Sequence, residues 1–263
     1  MTTVLPFEIA AFGCTLRAAA SCPDAYDILD RYLFPSLPRL PQTAANPDLC
    51  IGIEEDGGRF LLFMGDLQVA AAARPFDLVP NLTDLVDECI VRRLTSVRAV
   101  HAGAVQLGDR VLLLPGRTHS GKTSLVAELL RRGATYLSDE YALIDAEGQA
   151  HAYPRPLLLR NGKPGRTPLL AQDCNAPVAS KPAPIGWIME LQYYDSEDWN
   201  VIPVPQSHGS LILLRHTPHV LADAPDLLDR FQRAAAGARC YAGRRMDVAK
   251  AADEILRLTV ASL

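Results

Sequence analysis

The run "GRTHSGKTS", Gly116 to Ser124, holds the residues whose types and order best fit a chemical task. Its first eight residues satisfy G-x-x-x-x-G-K-[ST], a turn that wraps a chain of phosphates. Backbone N–H groups along Gly116, Arg117, Thr118, His119, Ser120 and Gly121, together with the start of the next helix, would hold the β-phosphate. Lys122 would neutralise β- and γ-oxygens, the Thr123 hydroxyl would ligate Mg2+, and Ser124 would close the contact. The side chains of Arg117 and His119 face either the nucleotide or solvent. The alternative is a tight strand–helix turn that merely contains Gly-Lys-Thr.

Two acids follow closely. Asp139 lies 17 positions beyond Lys122, with Glu140 beside it. That interval is just enough for one helix and one strand. Nucleotidases that act as motors or switches usually carry their metal-linked acid later, after further strands. An acid at the end of the very next strand suits a phosphotransferase. One carboxylate there can accept the proton of an acceptor hydroxyl while a second helps hold the metal. The residues alone leave open which acid takes which role. Read without the loop, "SDE" would be a polar turn.

Such a site needs a strand feeding the loop, a helix leaving it and a strand carrying the acids. "VHAGAVQLGDRVLLLPG" reads as two strands joined at Gly108-Asp109. "GKTSLVAELLRR" reads as a helix with Leu125, Val126, Leu129 and Leu130 on one stripe. Arg131 and Arg132 suit the negative end of its dipole, and Gly133 suits the left-handed position after it. "ATYLSDE" and "YALIDAEGQAHAYP" read as strands, with "AEG" as a turn.

The spacing places a small α/β domain at 1–98, ahead of the loop-bearing domain at 99–263. In the first, "FEIAAFGCTLRAAA" is a strand or hairpin arm and "DAYDILDRYLF" a short helix. "LCIGIEE" and "RFLLFMGD" form a hairpin about "DGG". "NLTDLVDECIVRRL" is an amphipathic helix capped by Asn81 or Thr83, burying Leu85, Val86, Cys89, Ile90, Val91 and Leu94. In the second, 161–205 reads as a proline-rich excursion with little regular structure. "SLILLRH" reads as a strand, and "APDLLDRFQRAAAG" and "MDVAKAADEILRL" as helices.

The formal net charge of −4 and pI near 5.9 argue against a nucleic-acid binder, which would show a basic face. The six cysteines form no C-x-x-C pair and no Cys/His ligand spacing, so they fit reduced thiols packed as small hydrophobes. No apolar run approaches the roughly 18 residues of a transmembrane helix. "MTTVLPFEIA" lacks the basic and apolar regions of a signal peptide. These features lead to the expectation of a cytoplasmic protein with no membrane partner.

Taken in order, "VHAGAV", "LLLPGRTHSGKTSL", "RRGATYLSDEYALID" and "AYPRPLLLR" resemble HPr kinase/phosphorylase. They are closer still to the HPr-kinase-related kinases of peptide-modification clusters, including lasso-peptide kinases. The resemblance covers about Val100 to Arg160. It implies an α/β fold: a P-loop kinase domain of the HPr kinase and phosphoenolpyruvate carboxykinase type, behind a small N-terminal α/β domain. It implies Asp139 as general base, Glu140 as the second acid near metal, and His101 as the histidine that tunes or orients the base. It points to Arg155 and Arg160, and more weakly to Arg244, as residues that steer phosphate or substrate. ATP and Mg2+ are the implied cofactors, and a homo-oligomer the implied assembly. The chain departs from HPr kinases in its N-terminal unit and in "PVASKPAPIGWIMELQYYD", where their second signature is not recognisable.

The expectation from residues and resemblance together is an ATP- and Mg-dependent kinase acting on a serine hydroxyl of a peptide or small protein. A ribosomally made precursor peptide of the lasso type is the most specific acceptor it suggests. Two other readings share the same residues: a kinase for a small molecule such as free serine, and a non-catalytic nucleotide-binding regulatory module.

Overall fold

Apolar residues alternate along some segments of this chain and recur at helical spacing along others, and both patterns form in a computed structural model of it. The structure describes residues 4–34, 37–40, 46–117, 120–160, 165–195, 198–218 and 224–260. The fold is mixed α/β, with six α-helices among the described residues. The chain divides into two compact units, 1–95 with 160–168, and 96–159 with 169–263.

The first unit is built on a five-stranded sheet. Strands β1 (Val4–Ala11) and β2 (Cys14–Ala20) form a hairpin, and helix α1 (Pro23–Tyr32) leads to β3 (Leu49–Asp56), which lies parallel to β2. Strand β4 (Arg59–Met64) returns through Gly57–Gly58, as "DGG" predicts, and β5 (Leu67–Ala72) completes the order β1-β2-β3-β4-β5. Helix α2 (Val79–Val91) follows. It starts ahead of the expected caps: Leu78 is the N-cap, and the Thr83 hydroxyl instead donates back to Val79 O at 2.7 Å. Its buried residues are Val79, Leu82, Thr83, Val86, Asp87 and Ile90, so of the expected face Leu85, Cys89, Val91 and Leu94 are only half-buried. Segment 160–168 belongs to this unit, where Arg166 Nη1 donates to Asp84 Oδ1 at 3.0 Å.

The second unit holds an eight-stranded sheet with helices on both faces. It begins with β6 (Arg98–Leu107) and β7 (Arg110–Pro115), an antiparallel pair. Helix α3 (Lys122–Arg131) and strands β8 (Thr135–Ser138), β9 (Tyr141–Ile144) and β10 (Gln149–His151) follow. The three-residue strand β11 (Leu157–Leu159) comes next, and β12 (Thr167–Leu169), also three residues, begins within segment 160–168 of the first unit. The chain then runs through β13 (Ala183–Tyr193), β14 (Asn200–Val204), α4 (Gln206–Arg215), α5 (Ala224–Ala236), β15 (Arg239–Arg245) and α6 (Val248–Val260). The strand order is β10-β9-β6-β7-β13-β15-β14, with β8 also paired to β6. Val111, Leu113, Ile185 and Ile188 pack with α4 and α5 on one face. Leu112, Leu114, Trp187 and Met189 pack with α3 and α6 on the other.

Two expectations fail in this unit. The excursion at 161–205 contains β13, a central strand parallel to both β7 and β15. A strand buried on both faces is apolar without alternation. "IGWIMEL", set among prolines, therefore carried no period-2 signal. "SLILLRH" is the body of helix α4, with Ile212 and Leu213 buried and Leu211 exposed. A short apolar run does not distinguish strand from helix by periodicity. All six cysteines are free thiols. Among the described residues, no helix is long and apolar enough to cross a membrane.

Candidate functional site

The end of β7 fixes the start of the site. Ala102 pairs with Pro115, and Gly116 N donates to His101 O at 3.2 Å, so the chain leaves the sheet beside His101. It enters α3 through Gly121, a left-handed residue with φ of +81°. That conformation costs an L-residue roughly 1–2 kcal/mol. Here a side chain would also collide with the guanidinium of Arg245, whose Nη2 donates to Gly121 O at 3.1 Å. Lys122 folds back over the loop, its Nζ donating to Gly116 O at 2.7 Å and to Arg117 O at 3.1 Å. Burial pulls its ammonium below the usual lysine range, against the opposing pull of Glu140 and Asp139.

The acids stand at an interruption between two strands. Both β8 and β9 pair with β6, Ser138 opposite Ala104 and Tyr141 opposite His101. Asp139 and Glu140 fill the gap, and Glu140 O accepts from Ala102 N at 3.2 Å. Breaking the ladder there lets two consecutive acids sit against one locus, where an unbroken strand would send them to opposite faces.

The two carboxyls differ sharply. Asp139 is only 3% exposed, and burial pushes its pKa up to about 6 against the pull of the Arg155 guanidinium. The Thr123 hydroxyl hydrogen-bonds this carboxylate, yet its Oδ1 is buried with no hydrogen-bond partner among the described residues. For Glu140, burial also pushes upward but is outweighed. A hydrogen bond with His101 and the charges of Arg155 and Lys122 hold its pKa at about 2. His101 Nδ1 lies 3.3 Å from Glu140 Oε1, and the His101 ring rests 4.4 Å from that of Tyr141. Arg155 is buried behind the acids, and its carbonyl accepts from the Tyr136 hydroxyl at 2.8 Å.

The structure therefore brings His101, Gly116, Arg117, Ser120, Gly121, Lys122, Thr123, Asp139, Glu140 and Arg155 to one end of the sheet. Ser124 lies in the first turn of α3, half-buried, and Arg117 is exposed. Thr118 and His119 lie outside the described residues. Arg160 is exposed and belongs to the other unit. Arg244 is also exposed, its guanidinium over the Tyr194 ring at 4.9 Å. Its neighbour Arg245 is the arginine that reaches the loop. Successive strand residues face opposite ways, and the sequence offered no sign of which of the two faced inward.

No protein-family model matches this chain, and no curated protein sequence matches it significantly.

Among the described residues, no group of three or more His, Cys, Asp or Glu side chains could hold a metal ion by itself. What the site offers is hard oxygen: the Thr123 hydroxyl and the Glu140 carboxylate, beside an Asp139 oxygen that has no partner among the described residues. That donor set fits Mg2+, which binds through one or two carboxylates and completes its shell with phosphate oxygens and water.

Sequence reading missed Arg245, and it also missed Glu190 of β13. Glu190 accepts from Arg215 at 2.7 Å and lies 2.7 Å from the Nε2 of buried His216. Recognising "IGWIMEL" as a central parallel strand would have revealed Glu190, since such strands deliver residues to the end of the sheet where loops cluster.

Proposed function

We propose that this chain is an ATP- and Mg-dependent kinase of the HPr-kinase-like P-loop type, transferring the γ-phosphoryl group to a serine hydroxyl of a peptide or small protein. The observation that carries the reading is the buried Asp139 carboxylate. One of its oxygens has no hydrogen-bond partner among the described residues, and the carboxylate interacts with Thr123 at the start of α3 and with the charge of Lys122. A buried acceptor left empty costs about 1–3 kcal/mol, so a group that binds there offsets the cost.

In this reading Lys122 and the backbone around Gly121 hold the β- and γ-phosphates. Thr123 and Glu140 would hold Mg2+, which would neutralise charge on the phosphate oxygens. The acceptor hydroxyl oxygen bonds to the γ-phosphorus, the bond from that phosphorus to the β,γ-bridging oxygen breaks, and ADP leaves. The hydroxyl proton passes to Asp139. Between two acids whose surroundings drive their pKa values apart, the one nearer neutrality is the better base, and the strongly acidic one serves as fixed charge. His101 positions Glu140. A precursor peptide of the lasso type remains the most specific acceptor, on the strength of the resemblance alone.

The test is transfer from terminally labelled ATP with Mg2+ into an extract of the source cells, comparing the protein with its Asp139→Asn variant and separating products by size. Label in a peptide or protein that depends on Asp139 supports the proposal and supplies the acceptor. Asp139-dependent label in a small metabolite replaces the acceptor class. No Asp139-dependent label despite ATP binding would leave a nucleotide-binding module.

A further inference from the structure

Two half-exposed tyrosines close strand β13, Tyr193 at 47% and Tyr194 at 53% exposure. Tyr193 pairs with Arg245 across the parallel β13–β15 ladder, and the Arg245 guanidinium covers one face of its ring at 5.2 Å. Arg245 is itself buried and fixed, donating to Gly121 O at 3.1 Å and to Met246 O at 3.0 Å. By strand alternation Tyr193 faces the same side as Trp187, Met189 and Leu191, which pack with α3. A side-chain carbon placed on Gly121 would lie 3.8 Å from Tyr193 Cβ. The ring thus stands beside the entry to α3, with β7 and β6 between its strand and the strands that flank Asp139 and Glu140.

Tyr194 is an internal contrast. It is similarly exposed and also meets an arginine, but that arginine is Arg244, which makes no hydrogen bond to the loop among the described residues.

We propose that Tyr193 is the stacking platform for the nucleobase of the nucleotide held at this site, so that the ligand is a nucleoside triphosphate, purine before pyrimidine, rather than a bare polyphosphate. This rests on the nucleotide-binding part of the function proposed above. Arg245 backs one face of the ring at 5.2 Å, and about half of the side chain is exposed. A flat base there gains stacking without any base-specific hydrogen bond. A purine covers more of the ring than a pyrimidine does. The placement also separates tasks: the base lies on the β13 side of the loop and the γ-phosphate on the side of the acids.

The experiment is calorimetric titration of the full chain with MgATP, MgCTP and magnesium tripolyphosphate. Tyr193→Ala is expected to weaken MgATP about tenfold and MgCTP less, while leaving tripolyphosphate unchanged. Tyr193→Phe should bind like the parent, and so should Tyr194→Ala. Equal weakening of ATP and tripolyphosphate by Tyr193→Ala would show that the ring only steadies Arg245 and the loop, and would overturn the inference. Unchanged ATP affinity in Tyr193→Ala would overturn it too. A parent protein that binds tripolyphosphate as tightly as ATP defeats this inference alone. One that binds neither defeats the nucleotide reading as well.

Discussion

Two carboxylate–histidine pairs lie at the same end of the eight-stranded sheet, one on each face. Glu140 meets His101 at 3.3 Å on the face of α3, and Glu190 meets His216 at 2.7 Å on the face of α4. A backbone hydrogen bond ties them together, His101 N to His216 O at 2.7 Å. The residue types match, but the surroundings do not. Both Glu190 oxygens are partnered, one by His216 and one by Arg215. Beside Glu140, Asp139 is more deeply buried and keeps one oxygen without a partner among the described residues. A satisfied ion cluster welds helix to strand. A buried acid with an unpartnered oxygen keeps hydrogen-bonding capacity that Glu190 has used up.

The sharpest way to break the contrast is Asp139→Asn, which keeps the shape and removes the charge. Under the proposed function, transfer falls by about 10²–10⁴-fold, with nucleotide binding largely kept. Stability should move the other way. The folded-state pKa of Asp139, about 6, stands above its ordinary value of 3.8, so the folded state binds the proton more tightly. Its contribution to stability is then fully present below pH 3.8 and lost as pH rises through about 6. Above that, the parent carries a buried carboxylate that the asparagine variant lacks. In metal-free buffer at pH 8 the variant should be more stable by about 2–3 kcal/mol, with the gain vanishing near pH 4. Denaturant unfolding at the two pH values checks this. A variant that is less stable at pH 8 would place Asp139 with the structural acids.

Glu190→Gln tests the other member of the comparison. The hydrogen bond from His216 holds the Glu190 carboxyl below the usual carboxylate range, with burial opposing and Arg215 assisting. Its contribution is therefore present above pH 4.5 and lost as pH falls through the lowered value. The substitution should cost about 1–2 kcal/mol at pH 7, a modest figure because the carboxylate is partly exposed. MgATP affinity should stay within about twofold of the parent, a difference of roughly 0.4 kcal/mol. A large loss of affinity without loss of stability would move Glu190 into the nucleotide site.

Much of this arrangement was legible in the sequence, for identifiable reasons. The loop, its helix and the acids lie in one stretch of local signals: an apolar strand, Gly-Lys-Thr, a stripe at helical spacing and a short strand ending in two acids. Helix α3 keeps its stripe, with Leu125, Val126, Leu129 and Leu130 all buried. What escaped was non-local. Strand β13 is specified by burial between β7 and β15 rather than by alternation. Helix α4 is short and settled by packing, where Gly209 lets it approach Cys240 closely. The choice of Arg245 over Arg244 follows from register against β13, which one strand's sequence does not carry. The opposed pKa values of Asp139 and Glu140 also belong to the fold, since they depend on Arg155, Thr123 and His101 arriving from three other segments.

The smallest expected effect separates the two ends of α3. Both ends are closed by a left-handed glycine, Gly121 before the helix and Gly133 after it, with φ of +81° and +93°. Gly121 is crowded by Arg245 and Tyr193, so its lack of a side chain serves the loop as well as the backbone angle. Around Gly133 an added carbon meets nothing within 4 Å. Gly133→Ala should therefore cost only the backbone term, about 1 kcal/mol, seen as a modest drop in unfolding midpoint with MgATP affinity unchanged. If the alanine variant instead lost nucleotide affinity, the far end of α3 would be coupled to the loop. The helix would then have to be treated as a part of the site that moves, rather than as a rigid support for Lys122 and Thr123.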